Sequence, residues 1–76
     1  MIEPKEYRIR VGKLYFKQPH YVVEIEKNNG KHLAYVEKLG SVFEPLAWKT
    51  RISATRNMNH IKDQYPSAEV EIHYLN

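Results

Sequence analysis

The chain has 76 residues, carries a formal charge of +3 and contains no cysteine. Disulfides, thiolate nucleophiles and cysteine-containing zinc sites are therefore excluded, and the length suits one domain with a small core. The hydrophobic fraction of 42% is typical of a globular domain. The sequence has no apolar run near the ~18 residues of a membrane span and no recognisable leader in residues 1–13. We therefore predict a cytoplasmic protein without a membrane partner.

The first predicted element is a strand over residues 6–11, where apolar and charged side chains alternate with period two. Gly12 follows it and begins either a two-residue turn or a bulge. A turn would start a second short strand, with Leu14 and Phe16 opposite Val11 and Ile9. Pro19 interrupts the pattern, because proline cannot donate a hydrogen bond within a sheet.

A hairpin is predicted over residues 21–38, where two apolar stretches flank Asn29 and Gly30. Asn-Gly favours a type I′ turn, which needs positive φ at both central residues. The turn fixes four cross-strand pairs: Ile25 with Ala34 and Val23 with Val36 on one face, and Glu24 with Tyr35 and Glu26 with Leu33 on the other.

The segment over residues 42–48 is apolar but contains Pro45, which limits it to a short edge strand at most. We expect its Phe43, Leu46 and Trp48 to cover the core.

One helix is predicted next, from an apolar stripe spaced 4, 3 and 4 residues apart: Ala54, Met58, Ile61 and Tyr65. Thr50 or Ser53 caps its start, with Ser53 favoured because Ile52 lies off the stripe, and Pro66 stops it.

A last half-buried strand covers residues 68–75, where apolar and polar residues alternate again. The predicted fold is therefore α+β and forms a single domain over residues 1–76. It consists of an antiparallel sheet of three to five strands with one helix packed on one face, in the order β(β)ββ(β)αβ.

Strand alternation sorts the charges between the helix-covered face and the open face of this sheet. The open face collects Arg8 and Arg10, and Lys17 if the second short strand forms. Against these cations stand six glutamates: Glu6, Glu24, Glu26, Glu37, Glu69 and Glu71. A phosphate-binding surface needs cations free of competing carboxylates. We therefore interpret the arginines as cross-strand partners of glutamates.

The open face also presents Tyr15, Leu33, Tyr35 and Leu75, and aromatic anchors mixed with charges are typical of a protein interface. The predicted protein-binding residues are Glu24, Glu26, Leu33, Tyr35, Glu69 and Glu71. Strand edges offer a second mode of association, which includes a homodimer.

The alternative function is nucleic-acid binding at the start of the helix, where cations gather beside backbone N–H groups that favour an anion. Trp48 would stack on a base, and Asn59 or Asn57 would read a base edge. The cations that would contact phosphates are Lys49, Arg51 and Arg56.

Catalytic and metal-binding patterns are absent from the sequence. The four histidines are 12, 28 and 13 residues apart and form no H-x-x-x-H or H-E-x-x-H motif. Paired glutamates at 24 and 26, and at 69 and 71, would need a cleft to act as catalysts, which a flat open sheet does not supply. We predict a non-enzymatic protein with no cofactor and no metal.

The C-terminal half, "WKTRISATRNMNHIKDQYPSAEVEIHYL", resembles small uncharacterised phage and prophage proteins, in which a Thr-capped helix and a "YP.AEV" junction lead into a final strand. A three-stranded sheet followed by a helix is also similar to the arm-binding domains of phage-type integrases, but the acidic open face and the final strand differ. The first resemblance implies an accessory factor or inhibitor that binds a host protein, which is the leading hypothesis.

Overall fold

The computed structural model describes residues 4–12 and 17–75. It contains four strands and one helix: β1 (Lys5–Val11), β2 (His20–Asn28), β3 (Lys31–Lys38), α1 (Arg51–His60) and β4 (Ala68–Tyr74). The strands form one antiparallel sheet in the order β3-β2-β1-β4, which confirms the predicted α+β class. Residues 13–16, on which a further short strand was predicted, lie outside the described residues.

The core lies between the sheet and α1, on the face where apolar residues of the strands alternate with charged ones. β1 contributes Ile9 and Val11, which are fully buried, and α1 packs on β1 and β4 above them. The other buried members of the cluster are Val22, Ala34, Ile61 and Ala68. Within residues 4–12 and 17–75 no helix covers the opposite face of the sheet, which is the open face.

The hairpin of β2 and β3 turns at Asn29 and Gly30, whose φ angles are 52° and 77°, as a type I′ turn requires. Three of the four predicted cross-strand pairs are confirmed: Ile25 with Ala34, Glu24 with Tyr35, and Glu26 with Leu33. The fourth is wrong, because a bulge at Val23 shifts the register and pairs Val22 with Val36. The bulge turns Val22 into the core and Tyr21 to the open face.

The segment before α1 lies between β1 and the diverging β2. Trp48 exchanges two backbone hydrogen bonds of 2.8 Å with Tyr7, and the Leu46 N–H donates to the Val22 carbonyl at 2.9 Å. This segment therefore forms an isolated bridge and no edge strand. Leu46 and Trp48 pack against the core as predicted, but Phe43 lies largely in solvent, because Ser41 and Phe43 form a local turn that holds it outside.

The helix buries the predicted stripe, with Ala54 and Ile61 fully covered and Met58 and Tyr65 packed against the core. Its cap is Thr50, not the favoured Ser53: the Thr50 Oγ1 accepts the Ser53 N–H at 3.2 Å. The helix therefore begins earlier than the stripe suggests, and its first turn exposes the off-stripe Ile52 to solvent.

Candidate functional site

The open face divides into two halves, because the segment of Leu46 and Trp48 separates β2 from most of β1. We call the half built on β1 and β4, with Tyr21 of β2, the arginine network. We call the half built on the distal part of β2 and β3 the hairpin face. Its members are Glu24, Glu26, Lys31, Leu33, Tyr35 and Glu37, which alternation places together.

Arg10 is the centre of the arginine network. Its guanidinium is 3.0 Å from the Glu69 carboxylate and 3.5 Å from that of Glu71. The hydrogen bond to Glu69 raises the pKa of Arg10 further above its ordinary value. Tyr21 donates its hydroxyl to Glu71 at 2.7 Å, and burial together with this bond raises the pKa of Tyr21. Arg10 therefore already has carboxylate partners on the neighbouring strand.

Arg8 is held more closely than Arg10, since its side chain is only 12% exposed. Its guanidinium lies 3.4 Å from the Glu6 carboxylate and 5.9 Å from the centre of the Tyr21 ring. The Nε atom is buried and has no hydrogen-bond partner among the described residues. Arg8 is therefore held within the sheet, but its carboxylate partner Glu6 lies on the same strand. The interpretation of the arginines as cross-strand partners of glutamates is confirmed for Arg10 only.

The hairpin face is less neutralised than the arginine network. Glu24 and Glu37 have no ion pair with any residue in the described part of the chain, and Glu26 accepts the Tyr35 hydroxyl at 3.2 Å. That hydrogen bond raises the pKa of Tyr35. Leu33 and Tyr35 are each 42% exposed between these carboxylates. This half therefore offers both apolar anchors and free negative charge.

The six predicted protein-binding residues do not form one patch. Glu24, Glu26, Leu33 and Tyr35 come together on the hairpin face, whereas Glu69 and Glu71 belong to the arginine network and are held by Arg10 and Tyr21. Lys17 lies in a bend. Its expected place on the open face depended on a short strand over residues 13–16, which lie outside the described residues. Alternation places Lys31 on the open face. Tyr15 lies outside the described residues.

The predicted nucleic-acid residues are also divided. Arg51, Arg56 and Asn59 lie on the outer side of α1, where with Ile52 and Thr55 they line a shallow groove of about 410 Å³. We call these five residues the helix surface. Trp48 is not among them, because it packs against the core, which leaves less of its ring for stacking on a base. Lys49 is exposed just before α1.

The helix surface contains no acidic residue, and the Arg51 guanidinium lies 5.3 Å from the centre of the Tyr7 ring. Ile52 is 72% exposed beside these cations. Arg51, Arg56 and Lys49 make no ion pair with another described residue. The described residues therefore supply no ion-pair partner for the positive charge of this surface.

Sequence reasoning missed a contact between β3 and the end of α1 with the turn that follows it. The rings of His32 and His60 stack at a centroid distance of 4.1 Å, beside a groove of about 620 Å³ that Lys31 and Asp63 also line. Partial burial, His60 and Lys27 together lower the pKa of His32. Neither histidine belongs to a local motif, so only the tertiary fold brings them together.

Gln64 completes this contact by bonding the backbone of β3. Its amide oxygen accepts the Ala34 N–H at 2.8 Å and its amide nitrogen donates to the Ala34 carbonyl at 2.9 Å. A side-chain amide that both accepts and donates in this way occupies the edge position that another strand would take. Among the described residues, no group of three or more histidine and acidic side chains could hold a metal ion.

Comparisons with models of known protein families, with curated proteins and with solved structures found no match for this chain. The described residues contain no helix that could span a membrane.

Proposed function

We propose that this chain is a non-enzymatic binding protein that engages a partner protein through the hairpin face. The observation that carries the proposal is the pairing of free carboxylates with exposed apolar anchors. Glu24 and Glu37 are not neutralised within the described residues, while Leu33 and Tyr35 remain 42% exposed. Aromatic anchors surrounded by charge are typical of residues that dominate binding energy.

The chemistry of the hairpin face selects the kind of partner. A surface with lysine or arginine side chains around an apolar pocket would satisfy both the carboxylates and the Tyr35 ring. The free carboxylates would accelerate the encounter between the hairpin face and its partner, and the apolar anchors would slow the dissociation of the complex. The resemblance of residues 48–75 to phage and prophage proteins supports a host protein as the partner and a role as an accessory factor or inhibitor.

Affinity capture from a host lysate, with and without nuclease, tests this proposal. The double variant Glu24→Gln and Tyr35→Ala should lose a specifically captured protein, because it removes one free charge and one anchor while both sites are exposed. The matched control, Arg51→Gln with Arg56→Gln, changes two exposed charges on the other surface and should retain capture. Retention by the first variant and loss by the second would contradict the assignment.

A second candidate function is nucleic-acid binding by the helix surface together with Lys49. It is favoured by the lack of acidic residues in the helix surface and by three cations, Lys49, Arg51 and Arg56, without ion pairs among the described residues. Three phosphate contacts predict a loss of affinity of roughly 40-fold when the salt concentration rises from about 50 to about 200 mM. Fluorescence anisotropy with labelled DNA and RNA measures this dependence. The Arg51→Gln and Arg56→Gln variant should then lose binding, and the hairpin-face variant should keep it.

A further inference from the structure

The outer edge of β4 is an unpaired strand edge whose direction the structure defines. Tyr7 uses both its backbone N–H and its carbonyl to bond Trp48, on the side of β1 away from β4. Tyr7 and Ile72 therefore form a non-hydrogen-bonded pair, in which the backbone N–H and carbonyl of each residue point away from the other strand. The N–H and carbonyl of Ile72 consequently face away from the sheet, and alternation gives Val70 and Tyr74 the same orientation.

Only the beginning of this edge is covered. The Ala68 N–H donates to the Tyr65 carbonyl at 3.0 Å, and the Lys62 ammonium donates to the Ala68 carbonyl at 3.0 Å. From Val70 onward no described residue bonds the outer edge. β4 carries two charged side chains, Glu69 and Glu71, but its seven residues include no proline, no lysine and no bulge, which are other features by which strand edges avoid pairing.

The opposite edge of the sheet is different. Gln64 takes both backbone groups of Ala34 in the middle of β3, and Lys31 and Lys38 lie at the two ends of that strand. Lysines at an edge and a covering side chain both discourage strand addition. The contrast identifies β4 as the edge at which another strand can join.

We propose that β4 pairs with β4 of a second copy of this chain, antiparallel and with Ile72 on the twofold axis. In this register Glu71 of each copy faces His73 of the other, so that a carboxylate meets an imidazole that can donate a hydrogen bond. Val70 faces Tyr74, whose ring is 52% exposed in the single chain. The pairing would bury apolar surface from both copies and form a continuous eight-stranded sheet.

Charge disfavours the registers in which the twofold axis is shifted from Ile72 toward the start of β4. A twofold axis at Glu71 would place two glutamates opposite one another, and an axis at Val70 would set Glu69 against Glu71, both of which are unfavourable cross-strand pairs. An axis at Val70 would also need the Ala68 edge groups, which Tyr65 and Lys62 already bond. One strand pair is a small interface, so the dimer should be weak and depend on concentration.

The absence of cysteine allows the register to be tested by disulfide crosslinking. Glu71 and His73 of the second copy would form a pair with Cα atoms about 4.5 Å apart, within disulfide reach. We expect a mixture of the Glu71→Cys and His73→Cys proteins to form a mixed disulfide. Neither protein alone should crosslink, because like positions would lie on a diagonal of about 7–8 Å. Self-crosslinking of the His73→Cys protein would overturn the register.

Sedimentation equilibrium from about 10 µM to about 1 mM tests the association itself in the range of weak complexes. The unmodified chain should shift from monomer toward dimer, and a single monomer mass throughout would overturn the proposal. Ile72→Pro removes the outward N–H without breaking a bond to β1 and should leave a monomer with an unchanged circular dichroism spectrum. Dimerisation that survived this substitution would overturn the choice of edge. Because Ile72 is far from the hairpin face in the strand order, the variant should retain capture of the partner protein.

Discussion

Replacing Gln64 by alanine should lower the free energy of unfolding by roughly 1–3 kcal/mol, since the side chain makes two hydrogen bonds to Ala34 that each contribute about 0.5–1.5 kcal/mol net. A domain of this size has a total stability of about 4–11 kcal/mol. Gln64, a partly buried polar residue after the helix, would thus contribute a substantial fraction of the free energy of unfolding.

Two further variants separate the hydrogen bonds from packing. Gln64→Met keeps the length of the side chain without its polar atoms and should be destabilised about as much as the alanine variant. Gln64→Glu retains an acceptor for the Ala34 N–H but cannot donate to the Ala34 carbonyl, so it should recover at most the contribution of one bond. Urea unfolding followed by the fluorescence of Trp48, the only tryptophan, measures the difference at constant denaturant slope.

Amide hydrogen exchange at Ala34 distinguishes the local loss of these two hydrogen bonds from a general loss of stability. The N–H is protected by Gln64 in the native protein and should exchange faster in the alanine and methionine variants than the neighbouring amides bonded within the hairpin. A stability loss below about 0.3 kcal/mol together with unchanged exchange at Ala34 would refute the reasoning, because it would mean that the two bonds contribute nothing.

Three other predictions test the remaining features. Because the pKa of Tyr21 is raised in the fold, its contribution is complete below its unfolded pKa near 10 and is lost at higher pH; Tyr21→Phe should therefore flatten the alkaline decline in thermal stability. Because the pKa of His32 is lowered, stability should fall as pH drops below about 6.5, and replacing His32 or His60 by phenylalanine should reduce this dependence in acid melting curves. Gly30→Ala should cost about 1–2 kcal/mol in urea unfolding because φ is +77° there, whereas Gly12→Ala, which has open space around it and no strained φ, should cost less.

The parts of the fold that the sequence predicted are those fixed by local chemistry. Asn29 and Gly30 permit positive φ at both turn positions, so the hairpin and three of its cross-strand pairs follow from two residues and the alternation around them. The helical stripe was predicted for the same reason, since its spacing is a property of the helix alone. Both patterns report on neighbours along the chain.

The parts that the sequence did not predict depend on contacts between distant segments. The bulge at Val23 is invisible in an apolar run, because either Val22 or Val23 satisfies the pattern until the packing against the core selects one. Gln64 and His60 are ordinary polar residues in sequence, and only the docking of the end of α1 and the turn that follows it on β3 gives them partners. For the candidate site, strand parity grouped Glu69 with Glu24, but Arg10 neutralises only the first.

The two edges of the sheet show why Gln64 matters beyond stability. A chain with one open edge forms a closed pair and stops, whereas a chain with two open edges can add copies without limit. If β4 pairs with a second copy, Gln64→Ala would open the β3 edge at Ala34 as well and should give species larger than a dimer at high concentration in sedimentation velocity. Adding Ile72→Pro to Gln64→Ala closes the β4 edge again and should limit the assembly to dimers through β3. Unlimited growth of the double variant would show that the edges of β3 and β4 do not control assembly.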